Sequence, residues 1–346
     1  VWSAARDQMF INKFIGDSDN SMIHRITELT KTEKGEQVIM HLVADLVGDG
    51  VVGDNEREGN EEELKSYSDI ISIDLISNQV RNKGKLSDQK TVIRFREQGK
   101  NKLAYWLANR CDQLAFLTLS GVTYAQYYDC SLRTDTAFTT LSFAADVSAP
   151  TAKRHRRWTG SALVAGNTAN ATASDTPNYK MIVQSISYGK DHYIKPLMSK
   201  GKEYYVFLVK PGTIAKLKED QDFQRALTTA APRGMDNPWF TGAAVTMDGA
   251  VLHEHRLVYS TLGAASGSKW GAGSAIDGTR SLMCGGQALG MADLGSPEWA
   301  EKEFQYGSQQ GISVDKMFGL LKPKFFSIYD KTEEDFGVLA VDHAIS

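Results

Sequence analysis

The sequence predicts an α+β fold, in which helices and antiparallel strands are mixed along one chain. A long stripe of apolar residues with helical spacing occupies residues 87–120. Two β-favouring runs flank a charged loop within residues 37–85, and short apolar runs alternate with turns after residue 311. With 346 residues, the chain is long enough for one elongated domain or for two to three subdomains.

The composition excludes several classes of protein. Hydrophobic residues at 42% and charged residues at 23% are typical of a folded soluble protein. The net charge of −3 argues against a dedicated nucleic-acid binder, which is usually basic. Cys111, Cys130 and Cys284 share no metal-like spacing, so we expect a reducing compartment. The sequence lacks a membrane-length apolar run and an N-terminal signal pattern, and it predicts a soluble protein made in the cytosol.

Residues 1–36 are predicted to form an arm rather than a core. Isolated aromatic residues, Trp2, Phe10 and Phe14, are separated by polar breaks. Two interpretations stay open at this point. The arm is either a short amphipathic helix packed on its own domain or an extension whose aromatic side chains anchor on a neighbouring subunit.

Residues 37–85 are predicted to form a long β-hairpin, with strands in residues 38–47 and 67–80. The loop between them is rich in glycine and charge. Within residues 54–63 it carries Arg57 and six acidic side chains: Asp54, Glu56, Glu58, Glu61, Glu62 and Glu63. Unpaired carboxylates are too costly to bury. The tip is therefore predicted to be either a solvated loop or a flap that docks on another subunit.

Residues 87–120 are predicted to form one continuous helix, roughly 50 Å long at about 1.5 Å per residue. Ser87 is a candidate N-cap, and Gly121 is a candidate C-terminal stop. The apolar stripe comprises Val92, Phe95, Leu103, Trp106, Leu107, Cys111, Leu114 and Leu117. The opposite side carries Arg94, Gln98, Asn101, Tyr105 and Asp112. A helix this long needs a partner along its whole length, so we interpret it as a spine helix.

A basic cluster lies within the irregular region that follows the spine helix, residues 122–176. Its members are Lys153, Arg154, Arg156 and Arg157, next to Trp158. Such a cluster is typical of solvated surface, but it can also contact phosphate. A short basic patch reads charge and not base sequence. We therefore name these four residues as candidates for contact with DNA.

The second half of the chain is predicted to mix helices and strands. Residues 177–227 read as helix, strand, helix, with Pro177 at an early helical position. Two strands joined by a turn at Asp248 and Gly249 are predicted within residues 237–260. The small residues of 281–295 are compatible with a buried helix, and residues 311–344 read as short strands.

His253, Glu254 and His255 are the strongest candidates for chemistry. In a strand, the two histidines would share one face. Zinc needs at least a third protein ligand, and the sequence does not nominate one. The glycine-rich segments lack the order of a P-loop, and no nucleophile elbow is present. We therefore predict no catalytic residue, metal ligand or cofactor, and a metal-dependent hydrolase centred on these histidines remains the alternative from another class.

Several motifs, taken in order, resemble the major capsid proteins of short-tailed, N4-like bacteriophages. They are FIGDSDNSMI, VGDGVVGDNEREGNEEELKSYSD, KRHRRW, KPLMSKGKEYYVFLVKP, NPWFTGAAVTMDGAVLHEHRLV, MCGGQALG and FGLLKPKFFSIYD. The resemblance covers nearly the whole chain and implies an HK97-like capsid fold. On that fold, the chain would divide into an N-terminal arm (1–36), an E-loop hairpin (37–85), a peripheral domain with the spine helix and an insertion (86–176), an axial domain (177–310) and a return to the peripheral domain (311–346).

The resemblance also implies the partners and the location. Copies of the chain would form hexamers and pentamers of an icosahedral shell in the virion, around double-stranded DNA that is bound without sequence specificity. Decoration, scaffolding and portal proteins are further partners of such shells. Nothing in the sequence identifies isopeptide cross-linking chemistry. An encapsulin-like cage that stores cargo protein is the alternative within the same fold.

Overall fold

The computed structural model describes residues 5, 8–27, 35–43, 46, 48–53, 55, 57–62, 66–90, 94–199, 201–230, 245–327 and 329–345. Trp2, Asp54, Glu56 and Glu63 lie outside these residues, so the predictions made for them stay predictions. Within the described ranges, no helix has the length and the apolar character needed to cross a membrane.

The described residues form an α+β fold, as predicted. In chain order the strands are β1 (Ile15–Gly16), β2 (Ile23–Ile26), β3 (Gln37–Val43), β4 (Ser66–Ser72), β5 (Asp74–Arg81), β6 (His155–Trp158), β7 (Leu163–Ala165), β8 (Leu197–Ser199), β9 (Lys202–Val209), β10 (Val245–Met247), β11 (Ala250–Glu254), β12 (Gly278–Cys284), β13 (Leu289–Asp293), β14 (Glu298–Phe304), β15 (Gln309–Leu321), β16 (Lys324–Ser327), β17 (Thr332–Asp335) and β18 (Val338–Ala344). The α-helices are α1 (Lys85–Lys90), α2 (Phe95–Ser120), α3 (Tyr179–Asp191), α4 (Pro211–Glu219) and α5 (Gln221–Ala230).

Two large sheets organise the body. A 6-stranded sheet has the order β1-β2-β13-β15-β14, and β5 also pairs with β15. An 8-stranded sheet has the order β10-β11-β9-β12-β18-β6-β7, and β8 also pairs with β9. The hairpin of β3 and β4 and the hairpin of β16 and β17 are separate 2-stranded sheets.

The spine helix is α2, and it is shorter than predicted. It begins at Phe95, because Arg94 has extended backbone angles. Ser87 lies inside the separate helix α1 and is therefore not the N-cap of the spine helix. The predicted C-terminal stop is confirmed, since Gly121 has a left-handed conformation and donates its N–H to the carbonyls at the end of the helix.

The C-terminal half of the spine helix is buried on every side. All residues from 111 to 120 are buried, and the apolar ones belong to the main core cluster together with Leu103 and Leu107. This cluster also contains residues of β13 and β15 from the 6-stranded sheet, and of β9, β12 and β18 from the 8-stranded sheet. The spine helix therefore shares one core with both large sheets.

A second core cluster lies between the 8-stranded sheet and helices α3, α4 and α5. Helix α3 begins after Asn178, whose side chain accepts a hydrogen bond from the N–H of Met181. Pro177 therefore precedes the helix instead of starting it. The predicted amphipathic helix after β9 is divided at Asp220 into α4 and α5.

Three other predictions had different outcomes. The predicted hairpin is confirmed, but its second run divides into β4, which pairs with β3, and β5, which pairs with β15. The turn at Asp248 and Gly249 is confirmed between β10 and β11. The buried helix suggested for residues 281–295 is wrong, because this segment contributes to the buried strands β12 and β13.

Candidate functional site and assembly surfaces

The arm is fixed to the spine helix by one buried carboxylate. Asp112 accepts hydrogen bonds from the backbone N–H of Phe10, at 2.9 Å, and of Ile11, at 3.1 Å. Burial raises the pKa of Asp112 to about 6, and the two N–H donors oppose that rise. The sequence placed Asp112 on the polar side of the helix, but its partner is the arm of the same chain.

Phe10 and Phe14 pack inside their own subunit. The ring of Phe10 is stacked on His255, with the centroids 4.3 Å apart, and Phe14 meets His253 edge-on at 5.0 Å. Phe116 of the spine helix also stacks on His255, with the ring centroids 4.9 Å apart. These contacts within one copy favour the interpretation in which the arm packs on its own domain, and contact of Phe10 and Phe14 with a neighbouring subunit stays a prediction.

The same contacts account for the two histidines. Burial lowers the pKa of His255 to about 4 and also lowers the pKa of His253. Both rings are therefore neutral packing groups near pH 7. Among the described residues, no group of three or more His, Cys, Asp or Glu side chains is placed to hold a metal ion.

The Asp112 contact predicts a pH-dependent stability. Because the folded-state pKa of about 6 lies above the ordinary 3.8, the contribution of Asp112 to the free energy of unfolding is fully present below pH 3.8. This contribution, roughly 3 kcal/mol in total, is lost as the pH rises through 6. We expect Asp112→Asn, which keeps an acceptor oxygen but cannot ionise, to remove this part of the pH dependence.

Urea unfolding of the unassembled subunit at pH 4 and pH 7 measures the effect. The wild type should lose more stability than Asp112→Asn between these two values. Equal losses of stability in the two proteins would show that ionisation of the buried Asp112 does not destabilise the folded subunit.

The base of the β3–β4 hairpin is anchored in the body. Val38 and Met40 face Ile71 and Ala292 of the neighbouring strands in a small buried cluster. The opposite face of the hairpin is different. Ile39 and Ile70 are direct cross-strand partners, and they remain 46% and 51% exposed.

A second exposed apolar pair lies on the neighbouring sheet. Leu75 of β5 pairs with Met317 of β15, and the two side chains are 43% and 47% exposed. Exposed apolar pairs on strands are unusual enough to mark candidate contact surfaces. The sequence analysis missed both pairs, although the alternation of apolar residues within each strand was the available signal.

The described part of the acidic tip is exposed. Glu58, Glu61 and Glu62 all reach solvent. Glu62 accepts the N–H of Gly48 at 2.7 Å, and Glu61 accepts the N–H of Gly59 at 2.8 Å. These hydrogen bonds shape the loop at the tip of the hairpin.

The basic cluster of residues 153–158 is largely engaged within the subunit. Arg154 is fully buried and donates to the carbonyls of Asp335, at 3.0 Å, and His192, at 2.9 Å. Burial lowers its pKa, while Asp330 at 3.8 Å acts in the opposite direction. Arg154 is therefore not DNA-facing in the folded subunit, which corrects that part of the prediction.

The neighbours of Arg154 are half-buried. Arg157 forms an ion pair of 2.6 Å with Asp175, and its side chain is only 13% exposed. Arg156 stacks on the ring of Tyr188 at 4.3 Å. Lys153 is half-buried, and its backbone N–H donates to Glu334 at 3.1 Å. For Lys153, Arg156 and Arg157, contact with DNA stays a prediction.

A buried ionic group joins the last strand to the spine helix. Arg280 of β12 forms two hydrogen bonds with Asp342 of β18, at 2.7 and 3.0 Å, and a third with the carbonyl of Ser120 at 2.7 Å. Burial by itself would raise the pKa of Asp342, but Arg280 and His155 lower it to about 2. The carboxylate therefore stays ionised, and the contact fixes the 8-stranded sheet to the end of the spine helix.

A longer run of exposed basic residues lies within residues 81–102. This basic segment connects β5 to the spine helix and carries eight basic residues: Arg81, Lys83, Lys85, Lys90, Arg94, Arg96, Lys100 and Lys102. All eight are exposed. The segment contains only two acidic residues, Asp88 and Glu97. The sequence analysis missed this segment, although a count of charges along the chain would have found it.

Comparison with known proteins identifies the class. A family described as phage capsid protein matches residues 2–346. The major capsid protein of Pseudomonas phage KPP25 is 49% identical over 346 residues, covering 98% of this chain and 92% of that protein. The chain therefore belongs to the phage capsid protein family, whose members are structural proteins and not a class of enzymes.

Solved structures agree with this assignment. The capsid of Ralstonia phage GP4 matches with a TM-score of 0.80 and 27% identity, covering 97% of this chain and 90% of that one. The capsid asymmetric unit of cyanophage Pam1 matches with a TM-score of 0.73 and 19% identity, covering 97% and 92%. The predicted HK97-like fold is confirmed, and the protein is a major capsid protein. Neither the cargo cage nor the hydrolase receives support from these comparisons.

Proposed function

We propose that copies of this chain form the hexamers and pentamers of an icosahedral shell that encloses double-stranded DNA. We also propose that the β3–β4 hairpin is a principal contact between copies. The observation that carries the proposal is the contrast within this hairpin. Its base packs into its own subunit, whereas its outer face and its acidic tip are exposed.

The division of the chain supports this role. We propose an arm (1–36), a hairpin (37–85), a peripheral domain (86–176), an axial domain (177–310) and a return to the peripheral domain (311–346). The shared core around the spine helix and the buried contact of Arg280 with Asp342 make the body rigid. A rigid body with a projecting hairpin suits a closed shell, because symmetry repeats each modest contact in every copy.

The remaining partners follow from the same proposal. A net charge of −3 suits a shell that contains DNA without binding it tightly, and Lys153, Arg156 and Arg157 are the proposed sites of non-specific phosphate contact. Decoration, scaffolding and portal proteins are proposed further partners. Synthesis in the host cytoplasm and the absence of catalytic activity are part of the proposal.

Electron microscopy of the purified protein tests the shell directly. We expect closed particles of uniform size, with fivefold vertices, from the wild-type chain expressed alone or with its scaffolding partner. Free subunits or open sheets under both conditions would contradict the proposal. Particles that contain protein cargo in place of DNA after infection would favour a cage.

A further inference from the structure

The middle of the spine helix carries positive charge without acidic neighbours on the same helix. No acidic residue lies between Glu97 and Asp112, whereas Lys100, Lys102 and Arg110 fall within this stretch. Both lysines are exposed, and Arg110 is half-buried. Asp112 is only 4% exposed, and its carboxylate accepts the two backbone N–H groups of the arm. The helix therefore presents no exposed carboxylate of its own over about four turns.

Two cations from other parts of the chain extend this positive face. Arg256 follows β11, is exposed, and donates from Nη2 to the hydroxyl oxygen of Tyr105 on the spine helix at 2.8 Å. Lys13 of the arm is also exposed. Burial lowers the pKa of His255, and the charges of Arg256 and Lys13 lower it further, so both cations lie close to this ring. Together these elements form a basic strip that comprises Lys13, Lys102, Tyr105, Asn109, Arg110 and Arg256.

The hydroxyl of Tyr105 reports the sign of the local potential. Hydrogen bonds from Arg256 and Asn109 lower the pKa of Tyr105, and the charges of Arg256 and Lys102 act in the same direction. A phenol becomes more acidic where nearby positive groups stabilise its anionic oxygen. The Tyr105 side chain is 48% exposed, so this preference for an anionic oxygen exists at the surface and not in the core.

The far end of the strip holds two arginines close together. Burial lowers the pKa of Arg133, and the charge of Arg110 lowers it further, while Asp135 opposes this weakly. Arg110 donates to the side-chain oxygen of Gln113 at 2.6 Å, which is a neutral partner. Like charges at this distance repel each other. A phosphate beside Arg110 would offset the repulsion through charge-assisted hydrogen bonds.

We propose that the basic strip is a contact site for the phosphate backbone of the enclosed double-stranded DNA. This inference rests on the proposed function and names the part of the subunit against which the DNA lies. Lys102 and Arg110 are roughly 12 Å apart along the helix at about 1.5 Å per residue. A duplex carries one charge per about 1.7 Å of its axis, so several phosphates lie within that span.

The chemistry of the strip favours DNA over a protein partner. Its side chains are cations and hydrogen-bond donors, which suit phosphate oxygens and do not read base sequence. It offers no exposed aliphatic side chain, which the core of a protein interface would bury. The competing occupant is an acidic segment of a scaffolding partner.

Binding of double-stranded DNA by the unassembled subunit measures the contact. Fluorescence anisotropy over about 0.05–0.2 M salt gives the slope of log K against log salt concentration, which is about 0.9 for each phosphate neutralised. The variant Lys13→Gln, Lys102→Gln, Arg256→Gln should reduce the size of this slope by about 2–3. All three positions are exposed, so circular dichroism should show a folded subunit.

The matched control is Lys180→Gln, Lys202→Gln, Lys302→Gln, which removes the same charge at exposed lysines outside the strip. It should leave the slope close to that of the wild type. An unchanged slope in the strip variant would overturn the inference. An equal reduction in the control would also overturn it, because net charge alone would then explain the effect.

Lysine acetylation of wild-type particles, followed by mass spectrometry, tests the same contact inside the shell. We expect Lys102 to be protected in DNA-filled particles and reactive in emptied ones. Equal reactivity in both would overturn the inference. Protection in particles that hold a scaffolding protein and no DNA would assign the strip to that protein and would also overturn it. Because electron microscopy of the wild-type particles tests the shell separately, failure of this contact is distinguishable from failure of the proposed function.

Discussion

Leu107→Asp is expected to abolish the folded subunit. Leu107 is completely buried in the core cluster that joins the spine helix to the two large sheets. A carboxylate at this position would have no partner and would either remain ionised at great cost or bind a proton. The expected loss is about 3–5 kcal/mol, a large fraction of the 5–15 kcal/mol that stabilises a typical domain.

Circular dichroism and the soluble yield measure this effect. The matched control is Asn101→Asp, which introduces the same charge on the exposed face of the same helix and should change stability by less than about 0.5 kcal/mol. A soluble Leu107→Asp subunit that still assembles would show that the buried face of the spine helix has been assigned incorrectly.

The spine helix shows what a sequence pattern can predict. The apolar spacing identified Leu103, Leu107, Cys111, Leu114 and Leu117, and all five are buried. The same pattern placed Asp112 on the polar side, where it is instead only 4% exposed. Its hydrogen-bond donors come from residues about 100 positions earlier in the chain. A contact at that separation leaves no trace in local periodicity.

Long-range contacts explain the other differences as well. The small residues of 281–295 suggested a helix, but they allow close packing between strands. Gly285 lies against the carbonyl of Lys195, and Gly290 lies against Met40 and Ile71. The basic cluster suggested an exposed patch, but Asp330 and Asp335 from the end of the chain engage Arg154 there. The charge and the size of these residues could be read from the sequence, whereas the distant residues that contact them could not.

Removal of the acidic tip is expected to separate assembly from folding. Replacing residues 54–63 by a short Gly-Ser linker takes away six acidic side chains but none of the core clusters. An exposed ion pair contributes only about 0.2–1 kcal/mol and is screened by salt. A single change such as Glu58→Gln should therefore have little effect and serves as the control. Loss of the whole tip removes the same contact from every copy in the shell.

Sedimentation velocity of this shortened protein, with circular dichroism as the check on folding, tests the central claim most directly. The claim is that the projecting hairpin tip connects copies of a body that folds without it. We expect a folded subunit that sediments as a small species, while the wild type and Glu58→Gln sediment as particles. Normal particles from the shortened protein would show that the tip is only a solvated loop. An unfolded subunit would show that the hairpin tip is required for the body to fold.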